Sequence, residues 1–337
     1  MAGEAGPAKG PANPVVLVIV GPTAVGKTDL AVEVALRLDG EILSADAMQV
    51  YRGLDIATDK PSLARRRGVV HHLIDLVEPH EPFSAALYRQ FAHQALREVR
   101  QRGRLPIVCG GTGLYVRAFV DDRLPAGAAH DPQVRARLEA EMNRWGTAAM
   151  HRRLAAIDPE AAARIHPNDA RRIVRALEIF ETTGTPASVL QAEGRQRARP
   201  LPAVWIGLTR PRDELYRRID QRVDDQVRRG LVEETRRLLS AAGAVRGTAM
   251  QALGYKEMAE YLAGRQSFAA AVERLKRATR HYARRQWIWF KAEPRLRWFD
   301  LSRYGGLEEA AAAVVAYARP LLERYGWGGA HPGSAGV

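Results

Sequence analysis

Gly21-Pro22-Thr23-Ala24-Val25-Gly26-Lys27-Thr28 has the spacing GxxxxGK[ST]. Glycines so placed let the backbone wrap closely enough for its N–H groups to face phosphate oxygens. Lys27 adds a point charge, and the Thr28 hydroxyl can ligate Mg²⁺. Such a loop implies a diphosphate or triphosphate without saying which. Its default association is nucleotide binding, with ATP or GTP spent in hydrolysis or phosphoryl transfer. That default expects an Asp after a later apolar strand to hold Mg²⁺. The apolar run Leu105–Cys109 ends instead in Gly110-Gly111-Thr112-Gly113. A glycine-rich strand end with a hydroxyl suggests a second close approach to ligand phosphates.

A second acid-bearing stretch, Ser44-Ala45-Asp46-Ala47-Met48-Gln49, follows the apolar segment Glu41–Ala45. In open α/β sheets ligands sit outside the carboxyl ends of the strands, which places Asp46 on the same edge as the phosphate loop. A carboxylate there could hold Mg²⁺ or accept a proton. It could equally be an N-cap or Asx-turn aspartate at a strand exit. Arg218 and Arg222 are four residues apart on a helical pattern beginning near Asp213, so they share a face. One or both could clamp a diphosphate; both could also be solvated beside Asp220, Asp224 and Asp225.

The elements that must position these groups are legible in outline. Val15–Val20 is a continuous β-branched run, as in a strand buried on both faces. Further strands are expected at 41–45, 105–109 and 204–208, with a helix over about 85–102 and mostly helix from 213 to 291. Strands alternating with helices predict a doubly wound parallel α/β sheet. From about Asp131 to Arg197, Arg, Ala and Leu recur at helical spacing with no convincing strand. The predicted organisation is a P-loop α/β core over 14–128 and 198–326, interrupted by a helical insertion domain over 129–197. Disordered tails are expected at 1–13 and 327–337.

Composition bounds the rest. The chain has 337 residues, a net charge of +13 and one cysteine. Cys109 ends an apolar run and reads as a buried structural thiol; no internal disulfide can form, which fits a reducing cytoplasm. No run of 18 apolar residues suggests a membrane span, and the N-terminus has no secretory pattern. The basic charge favours a polyanionic partner, nucleic acid first. Arg277, Arg280 and Arg284 form one helical stripe, read as phosphate contacts against a solvated face as the alternative. The adjoining Trp287, Ile288, Trp289 and Phe290 read as core packing. His71 and His72 have no second cluster at metal-ligand spacing and read as structural. There is no clear sign of oligomerisation, and a monomer is expected.

The segments GPTAVGKT (21–28), SADAMQVYRGLDIATDKP (44–61), HHLID (71–75), CGGTGLY (109–115), NDARRIVRALE (168–178), LGYKE (253–257) and TRHYARRQWIWF (279–290) together resemble the successive motifs of the tRNA dimethylallyltransferase family. They occur in the family's order, from about Val15 to Phe299. The resemblance implies transfer of a prenyl group from dimethylallyl diphosphate, with Mg²⁺, to N6 of the adenosine next to the anticodon's 3′ side in tRNA. It implies that the loop from Gly21 to Thr28 cradles the donor's diphosphate, with Arg222 ahead of Arg218 as its clamp. It makes Asp46 the catalytic base, and Thr112 and Arg135 substrate contacts. It implies tRNA contacts from Asp46, Ala47, Met48 and Gln49, from Arg171, Arg172, Ile173, Val174 and Arg175, and from Gln251, Ala252, Leu253, Gly254, Tyr255 and Lys256. Two positions depart from the pattern: Ala47 stands where many relatives have Ser, and Ala57 where many have Gly. The competing reading is an ATP-dependent small-molecule or nucleotide kinase.

Overall fold

The computed structural model describes residues 14–124, 131–240 and 248–328. The expected tail at 1–13 and residues 329–337 of the tail expected at 327–337 lie outside the described residues. Two compact units emerge, one formed by 1–120 with 201–337 and the other by 121–200.

The larger unit is built on six parallel strands in the order β3-β2-β4-β1-β5-β6. They are β1 (Val16–Val20), β2 (Gly40–Ala45), β3 (His71–His72), β4 (Leu105–Gly110), β5 (Ala203–Thr209) and β6 (Arg297–Asp300). β1 is central, and all five of its residues are buried, as its unbroken apolar run requires. Leu17, Ile19, Ile107 and Ile206 pack in one cluster with α1 (Lys27–Leu38) and with the last helix, Leu307–Arg324. Val16 and Val18, which point the other way, are equally buried. The sheet is therefore covered on both faces, as predicted for a doubly wound core.

Between β2 and β3 a short helix α2 (Leu63–Arg66) intervenes. α3 (Ala85–Gln101) starts where the Ser84 hydroxyl accepts the Leu87 N–H at 3.2 Å, an N-cap typically contributing about 1 kcal/mol. α4 (Gly113–Val120) leaves β4 directly.

The second unit is all helical: α5 (Pro132–Ile157), α6 (Pro159–Arg164), α7 (Ala170–Thr183) and α8 (Ala187–Arg197). Asp131 caps α5 through the Gln133 and Val134 N–H groups. Leu138, Leu154, Ile173 and Leu177, each 0 % exposed, form its own core. The chain then returns through β5 to α9 (Arg212–Arg228), α10 (Leu231–Ser240), α11 (Tyr255–Leu262), α12 (Phe268–Lys291) and α13 (Leu307–Arg324).

Two strands were not foreseen. β3 is two residues long, too short for any periodicity, and β6 is an edge strand whose sequence RWFD mixes charge with aromatics. Trp327, assigned from composition to a disordered tail, is instead buried in the main core; a large apolar ring outweighs the glycines around it. Among the described residues no helix is long and apolar enough to cross a membrane.

Candidate active site

Residues 21–28 link β1 to α1 at the carboxyl edge of the sheet. Gly26 has φ +108°, a conformation that side chains strongly disfavour, and it sets the turn into α1. No side chain caps α1, so its first N–H groups and the helix dipole are available to an anion. The carbonyls of the loop are bound by three cationic side chains, two from outside it and one of its own. Arg218 Nε donates to Ala24 O at 2.9 Å, Arg210 Nε to Val25 O at 3.0 Å, and Lys27 Nζ to Pro22 O at 2.8 Å. Burial lowers the Lys27 amine to about 8, and Arg222 pushes the same way.

Asp46 stands at the end of β2. Its Oδ1 accepts the Met48 N–H at 2.9 Å, so the Asx-turn geometry is real. Its Oδ2 has no hydrogen-bond partner among the described residues. The Asx turn thus occupies one oxygen and orients the other. The Thr112 hydroxyl, after β4, accepts the Ala47 N–H at 3.0 Å, and Tyr282 of α12 faces the same site. Burial, with Asp46 nearby, pushes the Tyr282 phenol up, so it stays neutral.

Three cavities meet here. One of about 70 Å³ lies between Lys27, Thr28, Asp46, Gly110 and Arg222. A second of about 230 Å³ is walled by Asp46, Ala47, Met48, Gln251, Leu253 and Tyr282. A third of about 560 Å³ opens outward from Lys27 and Thr28 past Arg65, Arg218 and Arg229. Thr23, Asp46, Thr58, Arg222 and Tyr282 border both of the first two, and Arg222 borders all three. Arg218 reaches only the outer one, with its Nε already spent on the loop. Geometry therefore favours Arg222 over Arg218 as an anion clamp.

The model of a family described as IPP transferase matches residues 49–293, and one described as isopentenyl transferase matches residues 14–78. A tRNA dimethylallyltransferase of Thermomicrobium roseum is 50% identical over 300 residues, 89% of this chain and 90% of that protein. The same-named protein of Carboxydothermus hydrogenoformans is 44% identical over 302 residues, covering 90% and 96% of the two chains. The chain belongs to the tRNA dimethylallyltransferase family. Solved structures agree. The tRNA isopentenylpyrophosphate transferase of Bacillus halodurans superposes with TM-score 0.69 at 42% identity, covering 93% of this chain and 98% of that one. A eukaryotic dimethylallyltransferase captured acting on tRNA gives 0.75 at 28% identity, covering 92% and 80%.

Several tRNA dimethylallyltransferase motif residues gather at the cavities: Thr23, Lys27, Thr28, Asp46, Ala47, Met48, Gln49, Arg222, Gln251, Ala252 and Leu253. Gln49 is fixed there by Ser44 Oγ at 2.9 Å and the Thr58 carbonyl at 3.3 Å. Others are structural. Ile173 and Val174 are buried in the helical unit, so only neighbouring Arg171 and Arg172 present side chains outward. Arg175 and Arg135 both pair with Glu178, 0 % exposed, at 2.8 and 3.2 Å. Tyr255 is likewise fully buried, donating to Glu234 Oε1 at 2.6 Å. Lys256 is exposed, whereas Gly254 starts α11 at φ +107°. The basic stripe is narrower than predicted, because Arg280 is engaged by both oxygens of Asp220 at 3.0 and 2.9 Å; Arg277 and Arg284 remain exposed. Phe290 is core as expected, whereas Trp287 and Ile288 are 39% and 54% exposed. Cys109 is buried, its thiol pushed up to about 12 by burial. His72 Nε2 lies 2.6 Å from Glu41 Oε2.

The sequence also hid contributors. The 55–57 backbone N–H groups all donate to Glu234 at 2.8–3.1 Å, and Gln226 Nε2 donates to the Ile56 and Ala57 carbonyls at 3.0 and 2.9 Å. That holds in place the loop carrying Thr58 and Asp59. Asp59 gathers Arg65, Arg222 and Arg229 at 3.5, 3.5 and 3.2 Å. Leu275, Thr279, Tyr282 and Gln286 line the site at helical spacing from α12. That spacing was the available signal, overshadowed by the more conspicuous arginines on the same helix.

Proposed function

We propose that the protein transfers a dimethylallyl group from dimethylallyl diphosphate to N6 of the adenosine adjacent to the anticodon 3′ side of tRNA. The observation that carries this reading is Asp46, which borders both the small cavity beside the phosphate loop and the 230 Å³ channel beyond it. A leaving anion on one side and an amine on the other would meet at that carboxylate.

The loop N–H groups, Lys27, Thr28 and Arg222 hold the diphosphate and stabilise charge as it builds on the departing oxygen. The C1–O bond breaks with its electron pair leaving on the diphosphate. The N6–C1 bond forms from the adenine amine, and the N6 proton passes to Asp46. An exocyclic amine conjugated with its ring is a weak nucleophile, and a positioned base is worth about 10²–10⁴-fold in rate. Tyr282, neutral and half-buried, closes the junction against water.

Mg²⁺ fits this site in one way only. The described residues offer no cluster of three metal-ligating side chains, whereas Mg²⁺ is commonly held by one or two protein groups plus substrate phosphates and water. Thr28 would hold the ion through its hydroxyl, with substrate phosphates and water completing its shell, and the ion would neutralise the diphosphate as it leaves. Asp46 stays free as the base, and Asp59 is paired with Arg65, Arg222 and Arg229. The target base must leave the anticodon loop to reach the channel, where single-stranded bases can be splayed out. Exposed Arg277 and Arg284 of the larger unit are proposed to meet tRNA phosphates, and exposed Arg171 and Arg172 of the helical unit, taken by itself, offer a second basic surface for tRNA.

The test is incubation with labelled dimethylallyl diphosphate, Mg²⁺ and unmodified tRNA, followed by nucleoside analysis. Label in an adenosine next to the anticodon supports the reading. ATP turnover dependent on a small phosphate acceptor, with no label in the nucleoside, would replace it with a kinase.

A further inference from the structure

Three loops meet beyond the ends of β1, β2 and β4, and the sheet does not fix their tips. The β1–β4 ladder stops at Val20 and Gly110. One side chain from α12 closes the gap beyond it. Gln286 Oε1 accepts the Thr23 N–H at 2.8 Å, and its Nε2 donates to the Gly111 carbonyl at 2.9 Å. One end of the amide meets a donor and the other an acceptor, so its orientation is determined. The side chain is buried at 6% exposure. A Cβ on Gly111 would collide with Gln286 Nε2, so glycine at 111 and glutamine at 286 are a matched pair.

On its other side the same turn is tied to β2. The Thr112 N–H donates to Ala45 O at 3.0 Å, and Thr112 Oγ1 accepts the Ala47 N–H at 3.0 Å. A continuous brace therefore runs Thr23–Gln286–Gly111–Thr112–Ala47. It starts in the phosphate loop and ends beside Asp46. Because Gln286 takes up the Thr23 N–H, that group is withdrawn from phosphate binding and serves spacing instead.

We propose that Gln286 is a positioning residue that sets the distance between the leaving-group cradle and Asp46. This rests on the transfer reading above. Each substrate would still find its own half of the site without the brace, but the two halves would lose register. Misplacement by about 1 Å can cost about 10²-fold in rate.

Gln286→Met, close in volume but unable to bridge, is the first variant, and Gln286→Leu the second should Met fail to fold. Transfer from labelled donor to tRNA is expected to show kcat lower by about tenfold or more, with donor KM changed less than about threefold. Hydrogen–deuterium exchange is expected to quicken in peptides covering 21–28 and 109–115. Gly111→Ala is expected to lower kcat in the native background but to add less than about threefold on top of Gln286→Ala. An unchanged kcat, a loss confined to donor KM, or multiplying losses in the double variant would each overturn the proposal. If the native protein itself transfers no prenyl group, the functional reading fails separately. Exchange then decides the brace: unaltered protection at 21–28 and 109–115 refutes it, and quickened exchange there upholds it.

Discussion

Glu234→Gln changes one atom and should be among the most costly conservative substitutions in the chain. The carboxylate is 3% exposed and accepts from the Asp55, Ile56 and Ala57 N–H groups and from the Tyr255 hydroxyl. Burial, with Glu234 next in effect, pushes the Tyr255 phenol well up, so it remains a neutral donor. Hydrogen bonds to a charged group are each worth about 1.5–3 kcal/mol, against about 0.5–1.5 for neutral pairs. The amide keeps one acceptor oxygen and turns an NH₂ toward an N–H, leaving at least one buried donor unpaired at about 1–3 kcal/mol. A total near 3 kcal/mol corresponds to a Tm lower by about 4 °C, at about 2.1 cal/mol/K of unfolding entropy per residue over 337 residues. Thermal unfolding by circular dichroism measures it. Tyr255→Phe, which removes a single bond, is the control and should lose about 1–2 kcal/mol. A Glu234→Gln protein melting within about 2 °C of the native one would refute the claim that this carboxylate holds the 55–57 loop.

Asp46→Asn preserves size and the Met48 contact, so tRNA affinity should persist while transfer falls by about 10²–10⁴-fold; normal turnover would remove Asp46 as the base. Donor affinity should be flat below about pH 8 and weaken toward about tenfold per unit above it, because the diphosphate favours the Lys27 ammonium. Lys27→Arg should flatten that profile, and a native profile already flat to pH 9.5 would take the amine out of the contact. The same depression has a stability counterpart. Between about 8 and 10.5 the unfolded chain binds more protons at Lys27 than the folded one, so the penalty for burying this ammonium, full below about 8, is relieved as pH rises. Replacing Arg277 and Arg284 with Gln should lower the slope of log affinity for tRNA against log salt by about 0.7–0.9 per lost contact; an unchanged slope would make this face merely solvated.

The phosphate loop and the central strands were readable because local sequence determines them. An apolar β-branched run has few alternatives to a buried strand, and Gly26 and Lys27 carry their geometry and charge with them. Asp46 was half readable: the strand end placed it, but only coordinates show one oxygen in an Asx turn and the residue bordering two cavities. Gln286, Glu234 and Gln226 were not readable. Each acts on partners some 170 or more residues away, as in the pairing of Gln286 with Gly111 and Thr23. Arg135 and Arg175 were expected as substrate contacts from the family resemblance; the sequence did not show that both pair with the buried Glu178. Trp327 shows the converse, where composition suggested disorder and a single ring found the core.

The measurement that bears most directly on the central claim uses dimethylallyl diphosphate carrying ¹⁸O at the oxygen bridging C1 and phosphorus. Transfer by carbon–oxygen cleavage leaves the heavy atom in the released diphosphate while the prenyl group appears on tRNA. Heavy oxygen in a released five-carbon alcohol, with a phosphoryl group passed on, would mean that the loop at Gly21–Thr28 serves attack at phosphorus instead.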